Sequence, residues 1–272
     1  MISQFRHIFE IPNRGYEMAK LSDDPFAIKT SSSVEENIRR GNFAQIFSET
    51  PIPKDQLLSN LGLYLNSKSL SRLMFMNHLY EQIIDVMGVV MEFGTHWGSN
   101  MAQFAALRGI YEPFNRHRKI IGFDTFEGFL KIDPQDGHSD LMHVGHLKLP
   151  TDYSTYLEKI MEFHELENPI SHIKKFEICK GDATIELPKY LMRNPETIIA
   201  LAYFDFDVYE PTKICLDTIK PRLVKGSVVG FDELNDPDSP GETLALMEVF
   251  GLNNIKLKRF PYASRTSYFV VE

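Results

Sequence analysis

Short apolar runs alternate with amphipathic stretches over the last two thirds of the chain. The apolar runs have the length of buried strands and cover residues 89–93, 119–123, 176–179, 198–204 and 227–231. The amphipathic stretches repeat apolar residues at helical spacing and cover residues 69–86, 99–107, 153–164, 184–193, 211–223 and 241–250. Alternation of this kind predicts a parallel sheet with helices on both of its faces.

The chain closes with two further strand-like segments, residues 255–260 and 266–271, joined through Ala263-Ser264-Arg265. We expect them to form an antiparallel hairpin at one edge of the sheet. The predicted fold is therefore α/β and Rossmann-like, with a seven-stranded and mostly parallel sheet in a domain covering residues 67–272. Dinucleotide-binding domains seldom end in such a hairpin, so this pattern separates the chain from them.

Residues 1–66 form an N-terminal extension in this prediction, without long regular elements because prolines and glycines interrupt it. The segment is nevertheless rich in aromatic residues, namely Phe5, Phe9, Tyr16, Phe26, Phe43, Phe47 and Tyr64. Disordered tails are normally poor in aromatic residues, which indicates an ordered segment. We interpret it as a lid on the substrate side; a cover for core surface or an oligomer contact is the alternative.

The composition is that of an ordinary globular protein, with 43% hydrophobic and 24% charged residues in a chain of 272. Net charge is −8 and lysines and arginines do not cluster, which disfavours binding to nucleic acid or to anionic membranes. No apolar stretch approaches the roughly 18 residues that span a bilayer, and the N-terminus lacks a basic-then-apolar signal. Cys179 and Cys215 make neither a disulfide framework nor a zinc site. We therefore expect a cytoplasmic protein.

A glycine-containing turn follows the first predicted strand and precedes a predicted helix. Glu92, Gly94 and Gly98 define its spacing, E-x-G-x-x-x-G, which differs from the G-x-G-x-x-G of dinucleotide sites. Glycines let a ligand approach the backbone and a helix N-terminus offers free N–H groups, so the turn is typical of nucleotide binding. The candidate cofactor-binding residues of the turn are Glu92, Phe93, Gly94, Thr95, Gly98, Ser99 and Asn100. A glycine turn of purely structural use is the alternative.

Acidic residues close the first three predicted strands, at the sheet edge where α/β proteins bind ligands. Glu92 suits a ligand with a positive group, such as the amino group of S-adenosylmethionine. Asp124 is placed to accept hydrogen bonds from a ribose, and Asp182 to meet an adenine amino group. Capping of the following helix is the alternative for both aspartates. Further cofactor-binding candidates beside them are Thr125, Phe126, Gly181 and Ala183.

More carboxylates follow the fourth and fifth predicted strands. We expect Asp205, Asp232 and Glu233 to converge at the sheet edge, with Asp205 also near the cofactor. Carboxylates that converge without a cation repel one another, and a hard divalent ion such as Mg²⁺ or Mn²⁺ removes that cost. Such an ion would acidify an acceptor hydroxyl, with Asp207 or His138, in the long loop of residues 128–152, as candidate bases. A solvated acidic edge is the alternative.

The combined motifs resemble class I S-adenosylmethionine-dependent methyltransferases of the macrocin O-methyltransferase family. The resemblance is greatest to the branch that methylates nucleotide-linked deoxysugars, the rhamnose 3-O-methyltransferase type. The motifs that carry it are residues 91–94, 121–129, 180–183, 204–212, 230–235, 240–243 and 259–262. Each motif is unspecific alone, but their joint order is specific.

The resemblance implies an O-methyltransferase that uses S-adenosylmethionine and acts on a sugar or nucleotide-sugar hydroxyl. It also implies Mg²⁺ held by Asp205, Asp232 and Glu233. Family members often have Asp in place of Glu233 and Gly in place of Phe206, so the departures fall on the metal rather than on the methyl donor. As partners we expect this small-molecule substrate and a second copy of the chain in a homo-oligomer.

Two other functions remain open at this point. One is an NAD(P)-dependent oxidoreductase on a doubly wound sheet, against which the glycine spacing and the terminal hairpin argue. The other is a non-catalytic adenosyl-binding or assembly protein. The acidic residues after the first three predicted strands and after the fourth and fifth argue against it.

Overall fold

The computed structural model describes Phe26 and residues 32–272, so the aromatic residues Phe5, Phe9 and Tyr16 lie outside the described residues. The chain divides into two compact units, Met1–Leu65 and Asn66–Glu272. The role of the first unit as a lid stays a prediction.

The described part of the first unit contains a helix that the sequence analysis missed. Helix α1 covers Val34–Ser48, followed by the one-turn helix α2 at Lys54–Leu57 and a 3₁₀ segment at Leu58–Tyr64. The expectation of irregular structure was therefore wrong over residues 34–48. The missed signal is a helix start, because the Ser33 side chain accepts the Glu36 N–H at 3.2 Å and the two residues have capping-box spacing.

The second unit is built on one seven-stranded sheet, which confirms the predicted fold. Its strands are β1 (Val89–Phe93), β2 (Ile120–Asp124), β3 (Phe176–Lys180), β4 (Ile199–Phe204), β5 (Leu223–Phe231), β6 (Lys258–Arg259) and β7 (Ser267–Val270). The order across the sheet is β3-β2-β1-β4-β5-β7-β6, and the first five of these strands are parallel. Strand β7 runs antiparallel to both β5 and β6, as expected of the terminal hairpin.

Six helices cover the two faces of this sheet. They are α3 (Ser67–Glu81), α4 (Ser99–Tyr111), α5 (Tyr153–Leu166), α6 (Ala183–Arg193), α7 (Tyr209–Ile219) and α8 (Gly241–Phe250). One apolar core packs α3, α4 and α5 against strand residues such as Val90, and the other packs α6, α7 and α8 against the opposite face at residues such as Met91. None of the described helices is long and apolar enough to cross a membrane.

A row of aromatic residues aligns the carboxyl ends of the central strands. Phe93 pairs in register with Phe204, and Phe204 with Phe231, with ring centroids 4.5 and 5.4 Å apart. Backbone hydrogen bonds continue one residue further, because the Asp205 N–H donates to the Phe93 carbonyl at 2.8 Å and the Asp232 N–H to the Phe204 carbonyl at 3.0 Å. The residues that follow the row therefore emerge at one level, where the strand order reverses direction and α/β sheets bind ligands.

Gly94 is required for this alignment as well as for access to the site. Its φ of +91° lies in the region that favours glycine, and a Cβ added there would lie 2.6 Å from the Asp205 carbonyl carbon and closer still to its oxygen. The turn after β1 thus packs directly on the backbone that follows β4. A side chain at Gly94 disturbs the protein itself, so its effect on ligand binding cannot be measured separately.

Candidate functional site

The turn after β1 has the backbone of a ligand cradle. Gly94 and His96 both have positive φ, and Gly98, with φ +80°, caps the N-terminus of α4. The Asp124 carboxylate accepts the His96 N–H at 2.7 Å and the Phe126 N–H at 2.6 Å. Asp124 therefore ties this turn to the loop after β2, a structural role that sequence analysis had not assigned to it.

A cavity of about 230 Å³ opens beside the turn. Seven of the predicted cofactor residues line it, namely Gly94, Asp124, Thr125, Gly181, Asp182, Ala183 and Asp205. Side chains that the sequence analysis had not selected complete the wall, among them Phe129, Leu130, Leu147, Phe206, Pro211 and Ile214. The cavity combines acidic groups at the strand ends with an apolar wall, as small-molecule sites do.

The long loop of residues 128–152 supplies part of this wall and is fixed in place. Asp136 is buried, and its carboxylate accepts the Tyr209 N–H at 2.6 Å and the Asp133 N–H at 2.7 Å. The Leu149 N–H also donates to the Phe126 carbonyl at 3.1 Å. These bonds hold the loop against the start of α7 and against the segment after β2, with Phe129 at the cavity.

The histidine in the cavity wall is His96 rather than His138. His138 is exposed and does not line the cavity formed by the described residues. Burial and the neighbouring His146 lower the pKa of His96 to about 4. His96 is therefore neutral at physiological pH and adds no positive charge to the site.

The remaining predicted cofactor residues lie around the cavity and do not line it. Phe93, Thr95, Asn100 and Phe126 are buried beneath the turn, Gly98 caps α4 and Ser99 is exposed. Asp182 lines the cavity, but its carboxylate also accepts the Thr184 N–H at 2.9 Å and the Thr184 hydroxyl at 2.7 Å. The capping interpretation of Asp182 thus describes the structure, and a ligand contact would use its remaining lone pairs.

Glu92 of β1 is a buried carboxylate that lies next to the turn and does not line the cavity. Its side chain is fully buried, and neither oxygen has a hydrogen-bond partner among the described residues. Burial raises the pKa of Glu92 well above its ordinary value; the nearby Asn100 side chain and Arg72 lower this pKa in part, and Asp205 raises it. A buried carboxyl without a partner is costly unless a ligand completes it, so Glu92 fits a ligand with a cationic or hydrogen-bond-donating group.

A cation does reach the predicted acidic site, and it is Arg72 of α3. Its Nη2 lies 2.6 Å from Asp205 Oδ2, and its Nη1 contacts Asp232 Oδ1. Its Nε donates to Asn100 Oδ1 at 3.3 Å, and the guanidinium lies 5.6 Å from the centroid of the Tyr203 ring. The Arg72 side chain thus joins the ends of β4 and β5 to the first turn of α4.

The three predicted metal ligands are divided between two arginines. Asp205 and Asp232 meet at Arg72, and the Tyr203 hydroxyl also donates to Asp232 at 2.8 Å. Glu233 instead pairs with Arg265 at 2.6 Å and accepts the Ser239 hydroxyl. Among residues 32–272 there is no group of three or more side chains arranged to hold a metal ion. As arranged, these carboxylates do not fit a divalent ion, because each one already has a cationic partner.

Asp207 lies on a turn that Glu242 supports. Glu242 of α8 is fully buried, and its Oε1 accepts the Phe206 N–H at 2.9 Å and the Asp207 N–H at 3.4 Å. Asp207 has a φ of +62°, which these contacts stabilise. Burial raises the pKa of Asp205 to about 7, with Asp232 adding to the shift, and burial and Asp205 raise the pKa of Asp207.

Comparison with solved structures identifies close relatives, although no protein-family model and no curated protein matches the chain. The chain is 40% identical to CalS11, described as a calicheamicin methyltransferase, over 89% of this chain and 94% of that one, with a TM-score of 0.86. An apo structure of CalS11, described as a TDP-rhamnose 3′-O-methyltransferase of calicheamicin biosynthesis, gives 38% identity, coverage of 89% and 96%, and a TM-score of 0.78.

A more distant relative shares the fold alone. The O-methyltransferase NovP is 17% identical over 74% of this chain and 79% of that one, with a TM-score of 0.55. The identity to CalS11 over almost the whole of both chains decides against an NAD(P)-dependent oxidoreductase. The chain belongs to the class I S-adenosylmethionine-dependent O-methyltransferase family that includes CalS11.

Proposed function

We propose that the protein transfers a methyl group from S-adenosylmethionine to a hydroxyl of a nucleotide-linked deoxysugar. The observation that supports this acceptor most directly is the 38% identity to an enzyme described as a TDP-rhamnose 3′-O-methyltransferase. A finished glycoside is the second candidate acceptor, since it presents the same kind of sugar hydroxyl.

The cofactor end of the proposal rests on the cavity beside β1. S-adenosylmethionine, when bound, supplies the electrophilic methyl group on its sulfonium. Glu92 would accept hydrogen bonds from the amino group of the methionine part, and its buried oxygens would then have the partner they lack. Asp124 and Asp182, both in the cavity wall, would receive the ribose and the adenine. Phe129 and Leu147 of the long loop would exclude water from the adenosyl group.

The acceptor end of the proposal rests on the carboxylates after β4. The acceptor oxygen forms a bond to the methyl carbon as the carbon–sulfur bond breaks, and the hydroxyl proton passes to a base. Asp207 is better suited to this role than His138, because it follows the strand end at Asp205 and Glu242 holds its backbone. The raised pKa of Asp207 makes its carboxylate a stronger base for a hydroxyl proton.

The divalent ion and the homo-oligomer remain predictions from the sequence. Because Asp205, Asp232 and Glu233 are already paired with arginines, no step of the proposed reaction is routed through Mg²⁺ or Mn²⁺.

A methyl-transfer assay tests the proposed acceptor directly. With S-adenosylmethionine and TDP-rhamnose, we expect a product with one added methyl group and an equivalent amount of S-adenosylhomocysteine, both read by mass spectrometry. Free rhamnose is the control for the nucleotide. Methylation of finished glycosides alone would move the acceptor to that class. If no sugar is methylated while S-adenosylhomocysteine still binds, the proposed deoxysugar acceptor is wrong.

Glu92→Gln tests the cofactor end of the site. We expect S-adenosylhomocysteine to bind at least about tenfold more weakly by calorimetry, or ~1.4 kcal/mol, because the amide lacks the charge that attracts the amino group. The surface substitution Glu158→Gln, which removes only an ion pair with Lys174, is the control. Equal affinities of Glu92→Gln and the unchanged protein would refute the role of Glu92.

Glu92→Gln should weaken ligand binding but stabilise the ligand-free protein. Because the pKa of Glu92 is raised by folding, the unfolded chain loses this proton first, and the stability contributed by Glu92 falls as pH rises above its ordinary pKa. Glu92→Gln removes that loss. We expect its melting temperature to gain more over the unchanged protein at pH 8 than at pH 5; an equal difference at both values would contradict the buried-charge argument.

Asp207→Asn tests the proposed base. We expect kcat to fall by about 10²-fold or more, with the affinity for S-adenosylhomocysteine unchanged, because the amide cannot take the hydroxyl proton. Asp217→Asn, on the exposed face of α7, is the matched control and should retain full activity. An Asp207→Asn enzyme with normal kcat would return the role of base to another group of the site.

A further inference from the structure

Arg72 connects the cofactor end and the acceptor end of the proposed active site. Its three donor nitrogens point to three different elements: Nε to Asn100 in α4, Nη1 to Asp232 after β5 and Nη2 to Asp205 after β4. The Arg72 side chain is 31% exposed, and those of Asp205 and Asp232 are 23% and 13% exposed. The guanidinium is therefore partly buried among these carboxylates, unlike the side chains of a fully solvated surface ion pair.

Asp205 and Asp232 have one cationic partner between them in the described part of the structure. Asp205 and Asp232 share the guanidinium of Arg72, while the neighbouring Glu233 is balanced by Arg265. A divalent ion placed between the two carboxylates, where the guanidinium lies, would bind the oxygens that Arg72 now contacts, Asp205 Oδ2 and Asp232 Oδ1. Two cations in contact with the same two oxygens would repel each other at close range in a partly desolvated site. Arg72 and a divalent ion are thus mutually exclusive partners of this pair.

We propose that Arg72 is a positioning residue that serves as the built-in cation of the acceptor site, in the place that a divalent ion would otherwise take between Asp205 and Asp232. This inference rests on the proposed function for its meaning in catalysis. Arg72 keeps two like charges side by side at the strand ends and fixes the Asp205 carboxylate next to the turn that carries Asp207. Through Asn100 it also fixes the start of α4, so cofactor cradle and acceptor site keep a constant separation.

The geometry assigns this role to arginine rather than to any cation. The planar guanidinium presents donors in fixed directions and stacks on aromatic faces, whereas an ammonium is a point charge on a flexible stem. Arg72 uses both properties, since it contacts two carboxylates and an amide and lies over the Tyr203 ring. Lysine at this position would keep the positive charge but lose the contacts to three elements. Arg72→Lys therefore tests the positioning role separately from the charge.

The first test measures metal binding without reference to turnover. Mn²⁺ is titrated into the ligand-free protein and followed by electron paramagnetic resonance. We expect Arg72→Met to bind Mn²⁺ at least about tenfold more tightly than the unchanged protein, because the freed carboxylates then need a cation. The added substitution Asp205→Asn should abolish the gain. Equal Mn²⁺ affinity with and without Arg72 would overturn the proposal.

The second test uses the methyl-transfer assay. The unchanged enzyme should keep its activity after treatment with EDTA, whereas activity that is lost in EDTA and restored by Mg²⁺ or Mn²⁺ would overturn the proposal. Arg72→Lys should lower kcat by about tenfold or more while leaving Mn²⁺ binding weak; an S-adenosylhomocysteine affinity and a melting temperature close to those of the unchanged protein distinguish this result from loss of folding. Normal kcat in Arg72→Lys would refute the positioning role.

Controls separate this inference from the proposed function. Arg193→Met removes an arginine from a surface pair with Glu177 and should change neither Mn²⁺ binding nor turnover. If Arg72→Met does not fold, the Mn²⁺ comparison is made between Arg72→Lys and Arg72→Gln, of which only the second should gain affinity. If no sugar is methylated by any form of the protein, the proposed function fails, but the Mn²⁺ titration still decides whether Arg72 occupies the cation position.

Discussion

Repulsion between carboxylates that lie close together at one edge of the sheet is the constraint on which this structure depends. Parallel strands β4 and β5 end at one level, so Asp205 and Asp232 emerge side by side near the point where the strand order reverses, while Glu92 lies earlier, within β1, in register with Tyr203. Three carboxylates in a partly buried edge repel one another and resist loss of water. The guanidinium of Arg72 offsets this repulsion for Asp205 and Asp232 and makes the β4–β5 end of the edge stable in the absence of any ligand.

The carboxylates at this edge differ in whether the protein supplies a direct partner for them, and this difference matches the proposed chemistry. At β4 and β5 the carboxylates have a cation within the protein, whereas Glu92 at β1 is buried without a hydrogen-bond partner among the described residues. Arg72 attracts Glu92 without contacting it, and Glu92 lies beside the cradle of an S-adenosylmethionine-dependent enzyme, whose cofactor carries an amino group. Burying Glu92 without a partner destabilises the ligand-free protein, and a bound cofactor that contacts Glu92 would remove this cost and stabilise the protein.

Much of the second unit could be predicted because its signals are local. The apolar run of residues 89–93 coincides with β1, and the helical pattern of residues 241–250 coincides with α8, since a buried strand or an amphipathic helix is specified by its own residues. Strand β5 begins at Leu223, four residues before the predicted start. The prediction began late because Lys225 and Gly226 interrupt the apolar run there. Helix α1 was not predicted because the prolines and glycines of the segment indicate irregular structure, despite the capping signal at Ser33.

Arg72 could not be predicted because its contacts are set by the tertiary fold. It contacts Asp205 across 133 residues of sequence and Asp232 across 160, and nothing in its local pattern distinguishes it from other polar residues of an amphipathic helix. Sequence analysis placed the carboxylates correctly at the strand ends but could not supply their partners. It therefore predicted a metal ion for carboxylates that have arginine partners in the structure, and the metal ion itself stays a prediction.

The central claim, that Arg72 holds the ends of β4 and β5 together, is tested most directly by a double-mutant cycle on stability. The free energy of unfolding is measured by urea denaturation for the unchanged protein, Arg72→Met, Asp205→Asn and the double variant. If Arg72 and Asp205 stabilise each other as described, the losses will not add, and the coupling energy will be about 1 kcal/mol or more. Losses that add to within ~0.3 kcal/mol would show that the two side chains are energetically independent and would contradict the account.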